Sequence, residues 1–307
     1  MDLSADLPLV LDLDGTLVLN DLTHELIAGA ALLTPLRFPS QGWLGLRGDK
    51  PEMKRRMLER LGHRFDPAHL PYNPTVLSIA RAHDAKGGRV YLCSGSHEDL
   101  VHAIVDHLPE LDGGWGTREG YNMTSSRKAA FLTGEFPDGF IYAGNSTQDL
   151  KVWAASEIGL AVNPPPEFAD VRTVRGEPVV VIDRTRGGWR GVVEGLRSRA
   201  WWLLPVPALI VFVLGAFTLG SGVGATLAAT VFATAAGAWL ASVVQAPRLR
   251  ARGVRSGVAG GRLGVPVALG LAAVSIVGAM AASLLAPPIA ALAVLALFIA
   301  TLLLPAR

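Results

Sequence analysis

The alternation of apolar and polar positions divides the chain near residue 183. Before that point, short apolar runs alternate with amphipathic stretches. Residues 8–13 (PLVLDL), 89–93 (RVYLC), 140–143 (FIYA), 160–162 and 179–182 (VVVI) have the length and composition of buried strands. Helical periodicity marks residues 76–83, 98–107, 127–132 and 148–156 between them. Short apolar strands alternating with helices predict a parallel sheet covered on both faces. A longer insertion, about 20–72, carries LTHELIAGAALL and PEMKRRMLERLG, separated by a stretch that includes FPSQGW. It predicts a small helical cap. The α/β part spans residues 1–183, and a basic linker with Gly187 and Gly188 covers 184–200. In the remainder, 201–307, four apolar segments follow at 201–219, 225–244, 265–285 and 289–304. A bilayer-spanning helix needs about 20 apolar residues, so this half predicts an all-α bundle of four transmembrane helices.

Charge sharpens that division. The last acidic residue is Glu194, and the net charge is +2. The soluble half has no evident basic face, which argues against a nucleic-acid partner. Cys93 is the single cysteine, so an intramolecular disulfide or a cysteine metal cluster is excluded. Residues 1–8 have no basic stretch of the secretory type, so the α/β half is expected in the cytoplasm. Arg190, Arg197 and Arg199 precede the first apolar segment, and Arg248, Arg250, Arg252, Arg255 and Arg262 separate the second from the third. The connections GSGVG and APP carry no charge. Arginine-rich connections stay inside, so the α/β domain and both termini are expected on the cytoplasmic side. Trp201 and Trp202 suit the interfacial belt.

The densest chemistry lies in LVLDLDGTL, residues 9–17. An apolar strand there ends in Asp12 and Asp14 at the carboxyl edge of the sheet, where open α/β sheets bind ligands. Gly15 permits a close turn, and Thr16 can bond the backbone or a phosphate oxygen. In VYLCSGS, Ser94, Gly95 and Ser96 follow the next strand; hydroxyls and N–H groups there can hold phosphoryl oxygens. SSRKAAF offers Lys128, and FIYAGNSTQDL offers Asn145 and Asp149. Each residue has a plainer reading. Asp14 also suits an Asp-Gly turn, Ser96 a helix N-cap, Lys128 a solvated helix start, and Asp149 a first-turn acid favoured by the helix dipole. Lys54, Arg55 and Arg56 on the cap read as a solvated face or as a reader of substrate. The seven histidines show no metal-ligand spacing.

The strand followed by D-x-D-G-T resembles the first motif of the haloacid dehalogenase (HAD) superfamily. That resemblance implies a Rossmann-like sheet and Asp12 as a nucleophile that forms an aspartyl-phosphate. It implies Asp14 as general acid and then base, Ser94 as the phosphate-binding hydroxyl and Lys128 as the cation that neutralises the phosphoryl group. It also implies Mg²⁺ held by Asp12, Asp14 and the segment after the fourth motif's glycine. In the family an aspartate commonly follows that glycine. Here Asn145 stands there, an uncharged ligand that lowers metal affinity, with Asp149 as a compensating acid. DLTHE, LPYNP, YAGNSTQDLKVW and AVNPPP resemble, more narrowly, the HAD domain fused ahead of UbiA-type prenyltransferases. The membrane half departs from that pattern. GAWLASVVQAPRLRAR has no acid where the prenyltransferases carry an aspartate-rich, Mg²⁺-binding motif. It reads as a truncated UbiA-like remnant, and its arginines serve either simple positive-inside topology or the attraction of anionic lipid headgroups or a polyprenyl phosphate.

The expected activity is Mg²⁺-dependent hydrolysis of a phosphomonoester at the cytoplasmic membrane face. The substrate would be a phosphorylated small molecule or a lipid-linked phosphate, with membrane lipids as surroundings. A second reading is a slow or non-catalytic module that binds a phosphorylated ligand and pairs with a membrane protein or a second copy. A third, prenyl transfer, lacks the required aspartates.

Overall fold

The computed structural model describes residues 3–184 and 223–285, with single positions at 192, 292, 295, 298 and 299. The chain forms two units, Met1–Arg186 and Gly187–Arg307.

In the first unit the strands are β1 (Leu9–Leu11), β2 (Val90–His97), β3 (Gly113–Thr117), β4 (Ile141–Gly144), β5 (Ile158–Val162) and β6 (Val180–Asp183). They form a parallel sheet in the order β3-β2-β1-β4-β5-β6. Strand β1 is central, fully buried, and flanked by β2 and β4, so strand order reverses there. That reversal opens a crevice at the carboxyl ends of the strands. Helices α4 (Pro74–Asp84) and α5 (Glu98–His107) belong to the core on one side. There Val76, Ala80, Val101 and Ile104 pack with Leu9, Leu11 and Leu92. Helices α6 (Ser125–Glu135) and α7 (Leu150–Ala155) cover the other side, where Leu132, Val152 and Trp153 pack with Val10, Cys93 and Tyr142. Two cores on opposite faces are what strands apolar on both sides require.

Two elements are absent from the apolar pattern. Strand β3 reads GGWGT, too rich in glycine to register as an apolar run. It pairs with β2 because Gly114 sits against the Leu92 carbonyl and Val101 with no room for a side chain. The FPSQGW stretch of the cap is helix α2 (Phe38–Leu46), between α1 (Leu22–Leu33) and α3 (Lys50–Leu61). Asp21 caps α1 by accepting from the His24 N–H, and Asp49 caps α3 by accepting from Glu52. The cap helices bury Leu26, Ala30, Met57 and Leu61 in the same core as β1. Asn73, which caps α4, ties it to β6 by donating to Asp183 Oδ2 (2.8 Å).

In the second unit, α8 (Val223–Ala251) and α9 (Val265–Ser283) are each long and apolar enough to cross a membrane. They correspond to the second and third expected spans. The first and fourth, at 201–219 and 289–304, lie outside the described residues, apart from single positions, as does nearly all of the linker with Trp201 and Trp202. The pair packs through small residues. Ala229 and Ala233 meet Ala279 and Ala282, and Gly278 faces the Phe232 ring so closely that a Cβ would lie 2.9 Å from it. Hydroxyls along α8 are satisfied within the helix: Thr230 donates to Thr226 O (2.8 Å) and Thr234 to Thr230 O (2.6 Å). Val231, Val267, Val274, Val277 and Met280 point outward, uncovered.

Candidate active site

Asp12 follows β1, and its N–H donates to the Ala143 carbonyl of β4 (2.8 Å). Its carboxylate therefore leaves the sheet at the crevice. Gly15 takes φ +78°, a left-handed conformation that suits glycine. The turn closes with Val18 N–H on the Leu13 carbonyl (2.9 Å) and Gly15 N–H on the Val18 carbonyl (2.7 Å). Asp14 is thereby returned to the mouth of the crevice. Its Oδ1 accepts from Leu22 N–H (2.8 Å) at the start of the cap, and its Oδ2 accepts from Ser96 Oγ (2.6 Å). Ser96 N–H donates to Ser94 Oγ (3.0 Å), which is wholly buried. Thr16 Oγ1 is also buried and has no hydrogen-bond partner among the described residues.

Lys128 enters from the first turn of α6. Its Nζ donates to Asp12 Oδ1 (2.7 Å) and to the Tyr142 hydroxyl (2.9 Å). Tyr142 in turn donates to Asp149 Oδ1 (2.6 Å). Asp149 Oδ2 accepts from the N–H groups of Asn145 (3.0 Å) and Ser146 (2.9 Å) and from Ser146 Oγ (2.8 Å). Asp149, offered by the sequence as a metal ligand, is 1% exposed and accepts hydrogen bonds on both oxygens. It shapes the loop after β4 and, through Tyr142, holds Lys128 against Asp12. The sequence offered no sign of Tyr142, which reads as one more apolar strand position. The side-chain amide of Asn145 makes no hydrogen bond with the described residues and lies at the mouth of that loop.

The N-cap reading of Ser96 also fails. The cap of α5 is His97, whose ring nitrogen accepts from Asp99 N–H, while Ser96 serves Asp14. Nor is Lys54 part of a solvated face. It is 8% exposed, and its Nζ donates to the Gly95 carbonyl and to Asn122 Oδ1 (3.2 Å). The same Gly95 carbonyl accepts from Thr117 Oγ1 (2.7 Å) on β3. Arg55 and Arg56, by contrast, pair with Glu52 on the outer face of α3.

The electrostatics follow from burial. Desolvation pushes the Asp12 carboxyl up to about 6, although Lys128 opposes the shift. Burial, with Asp21 and Asp12 nearby, pushes Asp14 up to about 7, while the Ser96 hydrogen bond pulls the other way. Burial pulls Lys54 down to about 8. Burial would lower Lys128 too, but Asp12 and Asp149 outweigh it and hold the ammonium charged. Burial, then Asp149 and Asp12, keep Tyr142 protonated. The site thus sets buried Asp12 and Asp149 and half-buried Asp14 around one fixed cation, at the switch point of a parallel sheet.

That arrangement defines a class: a Rossmann-like α/β domain with a D-x-D-G-T turn at its central strand. Residues 9–153, most of the N-terminal unit, match the sequence model of the haloacid dehalogenase-like hydrolases. A protein of Sinorhizobium fredii described as uncharacterized protein y4nM is 32% identical over 162 residues, 53% of this chain and 31% of that one. The chain thus spans about a third of that relative's length. Among solved structures, a Bordetella pertussis protein of unknown function is 18% identical, covering 57% of this chain and 97% of its own, with a TM-score of 0.42. A probable phosphoserine phosphatase from Vibrio cholerae is 18% identical, over 57% of this chain and 62% of its own, with a TM-score of 0.40.

Proposed function

We propose that this chain is a Mg²⁺-dependent phosphomonoester hydrolase held at the cytoplasmic face of a membrane. The observation that carries this reading is the Asp12–Lys128 contact, with Asp14 held beside it by Ser96. Lys128 orients the Asp12 carboxylate, one oxygen of which attacks phosphorus as the bond to the leaving oxygen breaks while the other is left to the metal. Asp14, its affinity for protons raised by burial, carries the proton that the leaving oxygen takes up. Water then attacks the aspartyl-phosphate, Asp14 takes the proton of that water, and Asp12 is released. The Thr16 hydroxyl, without a partner among the described residues, and Ser94 would meet phosphoryl oxygens, with Gly95 and Ser96 shaping the loop beside them.

The residues present fit Mg²⁺. Asp12 Oδ2 and the Asn145 amide are unengaged, and the turn after β1 uses Leu13 O and Gly15 N–H but leaves the Asp14 carbonyl unclaimed among the described residues. Asp12, Asp14 and Asn145 would hold the ion, and waters would complete the shell, as Mg²⁺ prefers. When bound, it supplies positive charge to offset that of the phosphate. The two apolar helices α8 and α9 support the membrane anchor, and the arginines of residues 248–262 support its orientation. The resemblance to a UbiA-like remnant enters this reading only as an anchor.

The test is phosphate release by the purified chain with Mg²⁺ across soluble and lipid-linked phosphomonoesters. Asp12→Asn is expected to abolish release, because an amide cannot act as the carboxylate nucleophile. Near-full activity in that variant would show the nucleophile to be elsewhere.

A further inference from the structure

Within the N-terminal unit, an open cleft of about 630 Å³ lies between the first turn of α3 and that of α6. Asp49 and Lys50 line one wall, Ser126 and Arg127 the other, and Asn122 and Thr124 also border it. The cleft lies one side chain from the catalytic groups. Asn122 Oδ1 accepts from Lys54, and Lys54 donates onward to the Gly95 carbonyl, between Ser94 and Ser96. Asp14 and Lys128 both act electrostatically on that same ammonium. Arg127 immediately precedes Lys128, the cation bound to Asp12.

Two exposed cations and one acid stand on the walls of the cleft. Lys50 and Arg127 are exposed, and neither forms an ion pair with a described residue; Arg127 lies over the Tyr121 ring at 5.9 Å. The one acid on the walls, Asp49, is occupied in capping α3 through Glu52 N–H (3.3 Å). From the cleft inward the cations are Lys50 and Arg127, then Lys54, then Lys128. An uncharged leaving group would leave the outer pair unused. A polyprenyl chain would meet polar and charged walls.

We propose that this cleft receives the leaving group of the phosphomonoester, and that the leaving group carries an anionic substituent met by Lys50 and Arg127. The proposal rests on the phosphohydrolase reading for the identity of the ester, but the cleft's preference for a second anion is testable without turnover. Lys54 is the positioning residue, tying the cap-side wall to the Gly95 loop.

Three esters of matched shape separate charge from size: phenyl phosphate, 4-carboxyphenyl phosphate and its neutral methyl ester. Their affinities for the Asp12→Asn full chain are measured by calorimetry, with and without Mg²⁺. The free carboxylate is expected to bind about three- to fivefold more tightly than the methyl ester, the range for exposed ion pairs. That ratio should shrink at high salt. In Lys50→Ala/Arg127→Ala the ratio should fall to about one, with the thermal midpoint checked because both side chains are exposed. A ratio of one in the parent, a ratio that survives the double substitution, or failure of all three esters to bind would each overturn the proposal. If the wild-type chain releases no phosphate but the ratio holds, the phosphatase reading falls and the anion subsite stands. If all three esters bind and turn over equally, the reverse is true.

Discussion

At the scale of single residues, the site keeps two acids where burial resists their charge. Asp14 rises to about 7 from an ordinary value near 3.8. Between those pH values the folded protein holds a proton that the unfolded chain has released. Stability therefore falls as pH rises through about 4 to 7 and then levels off. In the metal-free protein, Asp14→Asn removes that burden. It is expected to raise the unfolding midpoint at pH 8 by several degrees, for a gain on the order of 2 kcal/mol, and to change it little at pH 4. Adding Mg²⁺ should reverse the order at pH 8, since an ion bound only by the folded state stabilises it. Thermal unfolding of both forms with EDTA and with Mg²⁺ checks this; an equal gain for Asp14→Asn at both pH values would contradict it. Asp12 and Asp14 are plain in the D-x-D-G-T string. Tyr142 is not, because its hydroxyl matters only once Lys128 and Asp149 have arrived from α6 and the loop after β4.

At the scale of elements, the loop carrying Ser94–Ser96 depends on close backbone contact. Strand β3 passes so near the start of α5 that a Cβ on Gly116 would lie 2.6 Å from Glu98 Cα, 2.7 Å from its nitrogen and 2.9 Å from the Ser96 carbonyl. None of those atoms is a flexible side-chain tip. Gly116→Ala is expected to cost about 2 kcal/mol or more, lowering the midpoint by about 5 °C, and to slow phosphate release by displacing Ser96 from Asp14. Gly134, in α6, meets nothing within 4 Å. Gly134→Ala should therefore stabilise by about 0.5–1 kcal/mol. Equal responses at the two positions would mean that the β3–α5 contact is looser than it stands here. Most elements were legible from the sequence as apolar runs and 3.6-residue periods. Strand β3 was not, because glycines chosen for close approach erase the apolar signal that marks a strand.

At the scale of the whole molecule, the expected topology makes a concrete demand. Cys93 is the only cysteine and is buried, with its thiol pushed up to about 12 by burial. The native chain should therefore resist thiol labelling while folded. Ser256→Cys places one reactive thiol in the connection between α8 and α9. In intact cells a membrane-impermeant maleimide should leave it unmodified, and permeabilisation should expose it, as arginine-rich connections stay inside. Labelling in intact cells would reverse the orientation and remove the catalytic groups from the cytoplasm.

The sequence by itself determined the alternating α/β order, the apolar character of residues 201–307, and Asp12, Asp14, Ser94 and Lys128 as the groups of interest. Each of these is written in local terms: periodicity, composition, or a short motif whose residues are neighbours in the chain. Tertiary structure alone decided what the remaining polar residues do. Lys54 had a solvated-face reading that was reasonable for an isolated helix, and Asp149 a first-turn reading that holds but names no partner outside its own turn. Packing instead seals Asp149 behind Tyr142 and lays Lys54 on the Gly95 carbonyl, 41 residues away in sequence. A buried polar group takes the partners that folding brings to it, and those partners come from elements whose meeting no local pattern encodes.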